Sequence, residues 1–311
     1  MKQNSRLDQI LDRTLLFSFT SVGYGLRKGN FKPLPRIEGR RIVVTGATSG
    51  LGLVAARELA DLGAAVVLVG RNQAKAAEAA RQIQRITGNE AISVELADLS
   101  LMAETRALAD RLTAGPPIDA LINNAGVLVA ARTETSEGLE LTLATNLLSH
   151  FLLTETVLPH IKDGGRIINV SSGGMYSQRI RPADLQFKTG EYTGTAAYAR
   201  TKRGQVILTE IWAESLADRR ITVSAMHPGW SDTPGVSDSL PAFSKLIGPL
   251  LRSPEEGADT MVWLASTDEE VPSGKFWLDR TPRITHMADK TRERPEDRMA
   301  LVEGLRRLAE L

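Results

Sequence analysis

Ile42-Val43-Val44-Thr45-Gly46-Ala47-Thr48-Ser49-Gly50-Leu51-Gly52 is a β-branched run that breaks into three glycines, and an apolar pattern of helical period follows through Val54, Ala55, Leu59 and Leu62. The stretch predicts strand, tight turn, helix. Gly46 permits the turn, Gly50 lets backbone amides approach a pyrophosphate, and Gly52 allows close packing of the helix. A helix N-terminus adds unpaired N–H groups and a partial positive charge, which suit phosphate. Three residues separate the first two glycines, where the usual dinucleotide fingerprint has one. The alternative is a glycine turn without a ligand. The strand before it and the helix after it are the context that a phosphate-binding turn requires.

Outward from this turn the chain keeps alternating. Ala65-Val66-Val67-Leu68-Val69, Ile92-Ser93-Val94-Glu95-Leu96, Ala120-Leu121-Ile122, Arg166-Ile167-Ile168-Asn169-Val170 and Ile221-Thr222-Val223-Ser224-Ala225 read as further strands. Helical patterns lie between them over residues 72–86, 101–112, 139–148, 151–161 and about 196–217. Strands apolar on both faces, alternating with helices, predict an α/β fold: a doubly wound parallel sheet with helices on both faces. No break in composition divides the chain after residue 40, so a single domain over residues 40–290 is expected. It is flanked by an N-terminal extension, residues 1–39, and a charged, then helical C-terminal tail, residues 291–311.

The second strand ends in Gly70-Arg71. NAD-selective dinucleotide folds usually place an acid here, to hold the ribose hydroxyls. Gly70 removes that carboxylate, and Arg71 offers a guanidinium suited to a 2′-phosphate. The expected cofactor is NADP, with NAD as the alternative; a solvated arginine in a turn is the reading without a ligand.

Tyr198-Ala199-Arg200-Thr201-Lys202 sets a phenol and an ammonium four residues apart, on one face of the predicted helix. A free phenol titrates near 10, too high for ready proton exchange at neutral pH. A neighbouring cation favours the phenolate, which makes the pair a candidate general acid/base. Alone, the spacing is common in solvated helices.

Other chemistries are excluded by composition. The chain of 311 residues has no cysteine, hence no disulfide, thiolate nucleophile or cysteine zinc site. Its four histidines, His150, His160, His227 and His286, lack metal-ligand spacing. A net charge of +1 gives no footprint for nucleic acid. The cysteine-free composition fits a reducing, cytoplasmic location. Near the N-terminus, Leu15-Leu16-Phe17-Ser18-Phe19 is too short to span a bilayer and lacks a signal peptide's long apolar region. It reads as a packing face or as a peripheral membrane contact.

Taken together, the turn, the sheet pattern and the Tyr198–Lys202 pair resemble the short-chain dehydrogenase/reductase (SDR) family, whose fold is of the Rossmann type. The resemblance spans about residues 40–235. It implies a cofactor turn at Gly46, Thr48, Ser49, Gly50, Leu51 and Gly52. Asp98 and Leu99 would contact the adenine, and Asn124, Ala125 and Gly126 would close the fourth strand beside the cofactor. Pro228, Gly229 and Thr233 would hold the nicotinamide end. The catalytic group it implies is Asn146, Ser172, Tyr198 and Lys202, the last two also contacting the cofactor. A narrower likeness, to one branch of the family, rests on Ser172-Gly173-Gly174-Met175, Lys202-Arg203-Gly204-Gln205-Val206 and Met226-His227-Pro228-Gly229-Trp230.

The implied reaction is hydride transfer between nicotinamide and a carbonyl or alcohol. Tyr198 is the proton donor, Lys202 lowers its pKa, Ser172 holds the carbonyl oxygen, and Asn146 anchors a relay water. A substrate lid is expected at about residues 230–253. Its apolar residues, with Met175, Tyr176, Leu185, Phe187 and Tyr192, either line a site for a lipophilic carbonyl or close the core. The apolar helices at residues 147–161 and 196–217 either pair in a homo-oligomer or are capped by an extension of the chain. A cofactor-binding sensor or scaffold without turnover is the functional alternative. Sugar-nucleotide epimerisation would want a larger C-terminal region than residues 235–311.

Overall fold

The β-branched runs become strands in the order in which they occur. β1 (Arg41–Thr45), β2 (Ala65–Gly70), β3 (Ile92–Leu96), β4 (Ile118–Asn123), β5 (Ile161–Val170) and β6 (Thr222–Met226) are joined by β7 (Lys275–Leu278) and β8 (Thr281–Arg283). The structure is a computed structural model and describes residues 18–231 and 248–311. Its eight strands form one sheet in the order β3-β2-β1-β4-β5-β6-β7-β8. Neighbours are parallel throughout, except for the antiparallel pair β7–β8. The strand order reverses between β1 and β4. That switch point lies at the carboxyl ends of the strands, where open α/β sheets bind ligands.

Ile42, Val43 and Val44 are all fully buried, as a central parallel strand covered on both faces requires. On one face, α2 (Gly50–Asp61), α3 (Gln73–Thr87) and α7 (Pro254–Ser266) contribute Val54, Leu59, Ile83 and Met261 to a core with Val44 and Ile122. On the other, α4 (Met102–Thr113), α5 (residues 141–157) and α6 (Gly194–Ser215) contribute Leu108, Leu147, Phe151 and Trp212 to a core with Val43 and Leu121.

The two helices expected over residues 139–148 and 151–161 are one continuous run, α5, through Leu141–Leu143, Ala144–Leu148 and Ser149–Val157. Its middle segment is π-helical, and Ser149 N–H closes it on Ala144 O. Such wide turns recur at functional sites. The run Leu141–His160 is apolar and long enough by composition to cross a membrane, yet 78% of its most apolar window is buried, so its apolarity serves the core.

The tail and the described part of the N-terminal extension dock on the domain. In the tail, α8 (Pro295–Leu308) inserts Leu301 and Leu305, fully buried, into the same core as Leu147, Phe151 and Trp212. Arg306 pairs with Glu155 at 3.1 Å and Arg298 with Glu210 at 2.5 Å along this seam. The tail therefore covers the α5–α6 face within the chain. At the other end, α1 (Ser21–Lys28) buries Tyr24 and Arg27. The turn between β7 and β8 has two residues, Asp279 and Arg280, both at positive φ (51° and 54°), as a two-residue hairpin of the I′ kind requires. Asp279 is 1% exposed and carries ion pairs to Arg252 at 2.6 Å and Arg27 at 2.7 Å. Arg280 pairs with Asp259 at 2.5 Å and lies over the Phe31 ring at 4.5 Å. Thr233, residues 15–17 and most of the expected lid fall outside the described residues.

Candidate active site

The glycine turn sits on the switch point. Gly46 and Gly50 have φ of +66° and +54°, the left-handed region that glycine enters at no steric cost. A Cβ at Gly46 would lie 2.9 Å from Ala125 Cα, and one at Gly52 would collide with Gly46 O and Asn124 Nδ2. Gly52 therefore serves the closure of the turn itself. Thr45, at the head of the turn, ties it to the next segment: its hydroxyl accepts from Asn124 N–H at 2.9 Å and Ala125 N–H at 3.0 Å. Asn124 Nδ2 answers by donating to Thr45 O at 2.8 Å. Leu51 packs partly into the core beside Val54, so at this position the main chain faces the turn.

At the end of β2, Gly70 lies over Thr48, whose Cγ2 would be 2.5 Å from a Cβ at Gly70. A side chain there needs Thr48 to move, which accounts for the missing acid. Arg71 is exposed and reaches Asp98 at 3.5 Å. Asp98 accepts from Ser100 N–H at 2.9 Å and Ser100 Oγ at 2.7 Å. Burial raises its pKa, but the Ser100 bonds and the Arg71 charge outweigh that and hold the carboxyl below its usual range. Leu99 turns its side chain into the core.

Asn146, Ser172, Tyr198 and Lys202 arrive from α5, the end of β5 and α6, and they converge. A Cβ at Gly126 would meet Asn146 Oδ1 at 3.4 Å and Lys202 Nζ at 3.6 Å. One at Gly174 would meet Ser172 Oγ at 3.6 Å and Tyr198 Cδ1 at 4.0 Å. Lys202 is 3% exposed, donates to Val170 O at 2.7 Å and has Nζ 5.4 Å from the Tyr198 ring centre. Burial pulls its ammonium down to about 7. The phenol was expected to be lowered by Lys202. Instead burial pushes Tyr198 up, and a hydrogen bond with the Ser172 hydroxyl is what pulls the other way. The ammonium itself points to the strand end, on Val170 O.

Asn146 lies in the π-helical segment, is fully buried, and has its side chain occupied. Oδ1 accepts from Val127 N–H at 2.7 Å, and Nδ2 donates to Val127 O at 2.9 Å and Thr201 Oγ1 at 3.3 Å. Its main-chain oxygen accepts from Gln205 Nε2 at 2.9 Å.

The stretch after Lys202 supplies three groups that the sequence reading noted only as a likeness. Arg203 is fully buried and donates to Met175 O at 3.0 Å and Thr285 O at 2.7 Å, holding the turn that follows Ser172. Gly204 lets Leu147 approach, since its Cβ would lie 2.6 Å from Leu147 Cδ2. Gln205 joins Asn146 O to His150 Nδ1, the latter at 2.8 Å. Their partners are distant in sequence, which is why no local pattern announced them. Met175 and Phe187, placed between lining and core by the sequence, are buried, Met175 with Val206 and Phe276. Pro228 and Gly229 follow β6. Gly229, at φ +76°, makes room for the Arg252 guanidinium, which a side chain there would strike.

A family model described as short chain dehydrogenase matches residues 40–242. The chain is 40% identical over 303 residues to dehydrogenase/reductase SDR family member 12 of Homo sapiens, covering 95% of each. It is 35% identical to retinol dehydrogenase 11 of Mus musculus, covering 78% of this chain and 79% of the relative. Among solved structures, a short chain dehydrogenase from Shigella flexneri complexed with NADP superposes with a TM-score of 0.64 at 25% identity, covering 80% of this chain and 100% of that one. A strand-turn-helix cradle closed by glycines at the switch point fits a dinucleotide, and the matching model runs through that cradle and the Ser172–Tyr198–Lys202 cluster. The chain therefore belongs to the short-chain dehydrogenase/reductase family and is an NAD(P)-dependent oxidoreductase.

Proposed function

We propose that the protein is an NADP-dependent oxidoreductase that interconverts a lipophilic carbonyl compound and its alcohol. The observation that carries the reading is the convergence of Ser172, Tyr198 and Lys202: the serine and phenol hydroxyls share a hydrogen bond beside Gly174, and Lys202 Nζ lies 5.4 Å from the Tyr198 ring centre. The bound cofactor supplies the hydride. In the reductive direction Tyr198 gives its proton to the oxygen that becomes an alkoxide, and Ser172 donates a hydrogen bond to the same oxygen, fixing its position. A phenol kept protonated by burial suits that donor role. Lys202, titrating near neutrality, is suited to restore the proton. Asn146 sets the π-helical segment against Val127 and keeps Lys202 in register.

Arg71, exposed at the end of β2 with no acid beside it at position 70, favours NADP over NAD. The NADP complex of the Shigella flexneri structure supports this choice. Lipophilicity is supported by the named substrate class of the mouse relative and by the exposed apolar Ile284 and Met287. Both line a cavity of about 30 Å³ beside the Ser172 turn, with Phe19 and Tyr176. NADPH oxidation by the purified protein with decanal, all-trans-retinal and glyceraldehyde tests the proposal. Turnover of the first two, well above the third, is expected. NADPH binding without turnover of any would leave the sensor reading standing.

A further inference from the structure

The matched family region begins at residue 40, yet residues 18–20, outside it, reach the crest of the sheet beside Ser172. Phe19 is 6% exposed. Its ring meets that of His227 edge-on at 4.4 Å and that of Trp230 at 5.7 Å. It also abuts Gly173, where a Cβ would lie 2.8 Å from Phe19 Cε2 and 2.9 Å from His227 Nε2. Its carbonyl accepts from Trp230 N–H at 2.8 Å and from Arg252 Nε at 3.1 Å. One residue thus touches both turns that frame the site: the turn after Ser172 and the turn containing Pro228 and Gly229.

The segment is fixed in that place by a buried ionic cluster. Arg252 clasps Asp279 at 2.6 and 2.9 Å, and Arg27 reaches the same carboxylate at 2.7 Å. Other donors of the two guanidiniums go to residues 18–20: Ser18 O, Ser18 Oγ, Phe19 O and Thr20 O. A guanidinium satisfied by three consecutive residues fixes their backbone path as well as their charge environment. The ring of Phe19 is then aimed by its own main chain.

We infer that Phe19 is a positioning residue for the reaction, bracing the Ser172 turn against the nicotinamide-side turn. The N-terminal extension is then part of the site's framework. The inference rests on the reading of Ser172 as a catalytic group. Its mechanism is steric: the Phe19 ring abuts Gly173 and meets the Trp230 ring edge-on, and loosening either turn moves the hydroxyl relative to Tyr198. Misplacement of that order costs large factors in rate without touching the remote cofactor cradle.

The test uses the full chain and two variants, Phe19→Ala and Phe19→Tyr. Tyr keeps the ring, and the adjoining cavity of about 30 Å³ has room for its hydroxyl. NADPH affinity is measured by fluorescence titration, kcat and KM with decanal, and backbone exchange by deuterium labelling of residues 173–177 and 228–231. Phe19→Ala is expected to lower kcat by about tenfold or more, to leave NADPH affinity within about twofold, and to speed exchange in both segments. Phe19→Tyr is expected to restore all three. Unchanged exchange in both segments, or a parallel loss of NADPH binding with no rescue by tyrosine, overturns the inference. Should Phe19→Ala not fold, Phe19→Leu carries the same readouts. If the wild type binds NADPH and turns over no carbonyl, the oxidoreductase reading fails, and exchange alone decides the bracing role.

Discussion

Lys202 Nζ donates to the main-chain oxygen of Val170 at 2.7 Å, so the ammonium of α6 is tied to the end of β5, two residues before Ser172. Lys202, one helical turn after Tyr198, is thereby held to the strand end that leads into Ser172. Tyr198→Phe removes the proton donor and little volume. It is expected to lower carbonyl reduction by about 10²–10⁴-fold, with NADPH affinity within about twofold. Steady-state kinetics beside a fluorescence titration checks it; retention of most activity would falsify the proton-donor role.

Arg71→Glu replaces a candidate phosphate partner by a repelling charge. NADP(H) affinity should fall by about ten- to hundredfold, as for loss of one charged hydrogen-bonded pair, while NAD(H) affinity changes little. Equal losses for both cofactors would sink the specificity assignment. Gly70→Asp alone should not create strong NAD binding, because Thr48 fills the space beside Gly70. Adding Thr48→Gly should release that block.

Asp279→Asn keeps a residue that tolerates positive φ but removes the charge between Arg252 and Arg27. Breaking a buried ion pair on one side costs roughly 3–5 kcal/mol, and urea denaturation should show a loss of that order. Asp289→Asn, at an exposed pair with Arg292, is the control and should cost under about 0.5 kcal/mol.

His150 and His227 are each held near 3 by burial, with Lys202 and Arg252 respectively adding to the effect. Their folded pKa lies below the ordinary 6.5, so the unfolded chain takes up protons first. Stability is complete above about 6.5 and is lost as pH falls from there toward 3. Each group steepens the loss by at most about 1.4 kcal/mol per pH unit. Unfolding free energies from pH 7 to 4.5 should therefore fall less steeply in His227→Leu than in the wild type. Identical slopes would contradict the burial of a neutral imidazole.

Local chemistry made six of the eight strands readable. β1 to β6 are β-branched runs with glycine, proline or helical patterns at their ends, and each was expected within a few residues of its place. β7 and β8 were not, because Lys275-Phe276-Trp277-Leu278 is four residues long and owes its pairing to β6. The π-helical segment was missed for a related reason: Ala144–Leu148 has an ordinary helical composition, and nothing local signals the wider turn or the donor that Gln205 brings to Asn146. Among the site residues, spacing within one helix revealed Tyr198 and Lys202. Their electrostatics depended on burial and on Val170, which spacing does not encode.

Arg27 and Asp279 stand 252 residues apart in the chain. During synthesis at about 5–20 residues per second, the segment carrying Phe19 emerges first and waits roughly 10–50 s for its carboxylate partner to be made. A segment translated well before its partner is thus among the last to be seated. Until then Phe19 is an exposed aromatic on a nascent chain, and the finished site is assembled only when translation has passed the final hairpin.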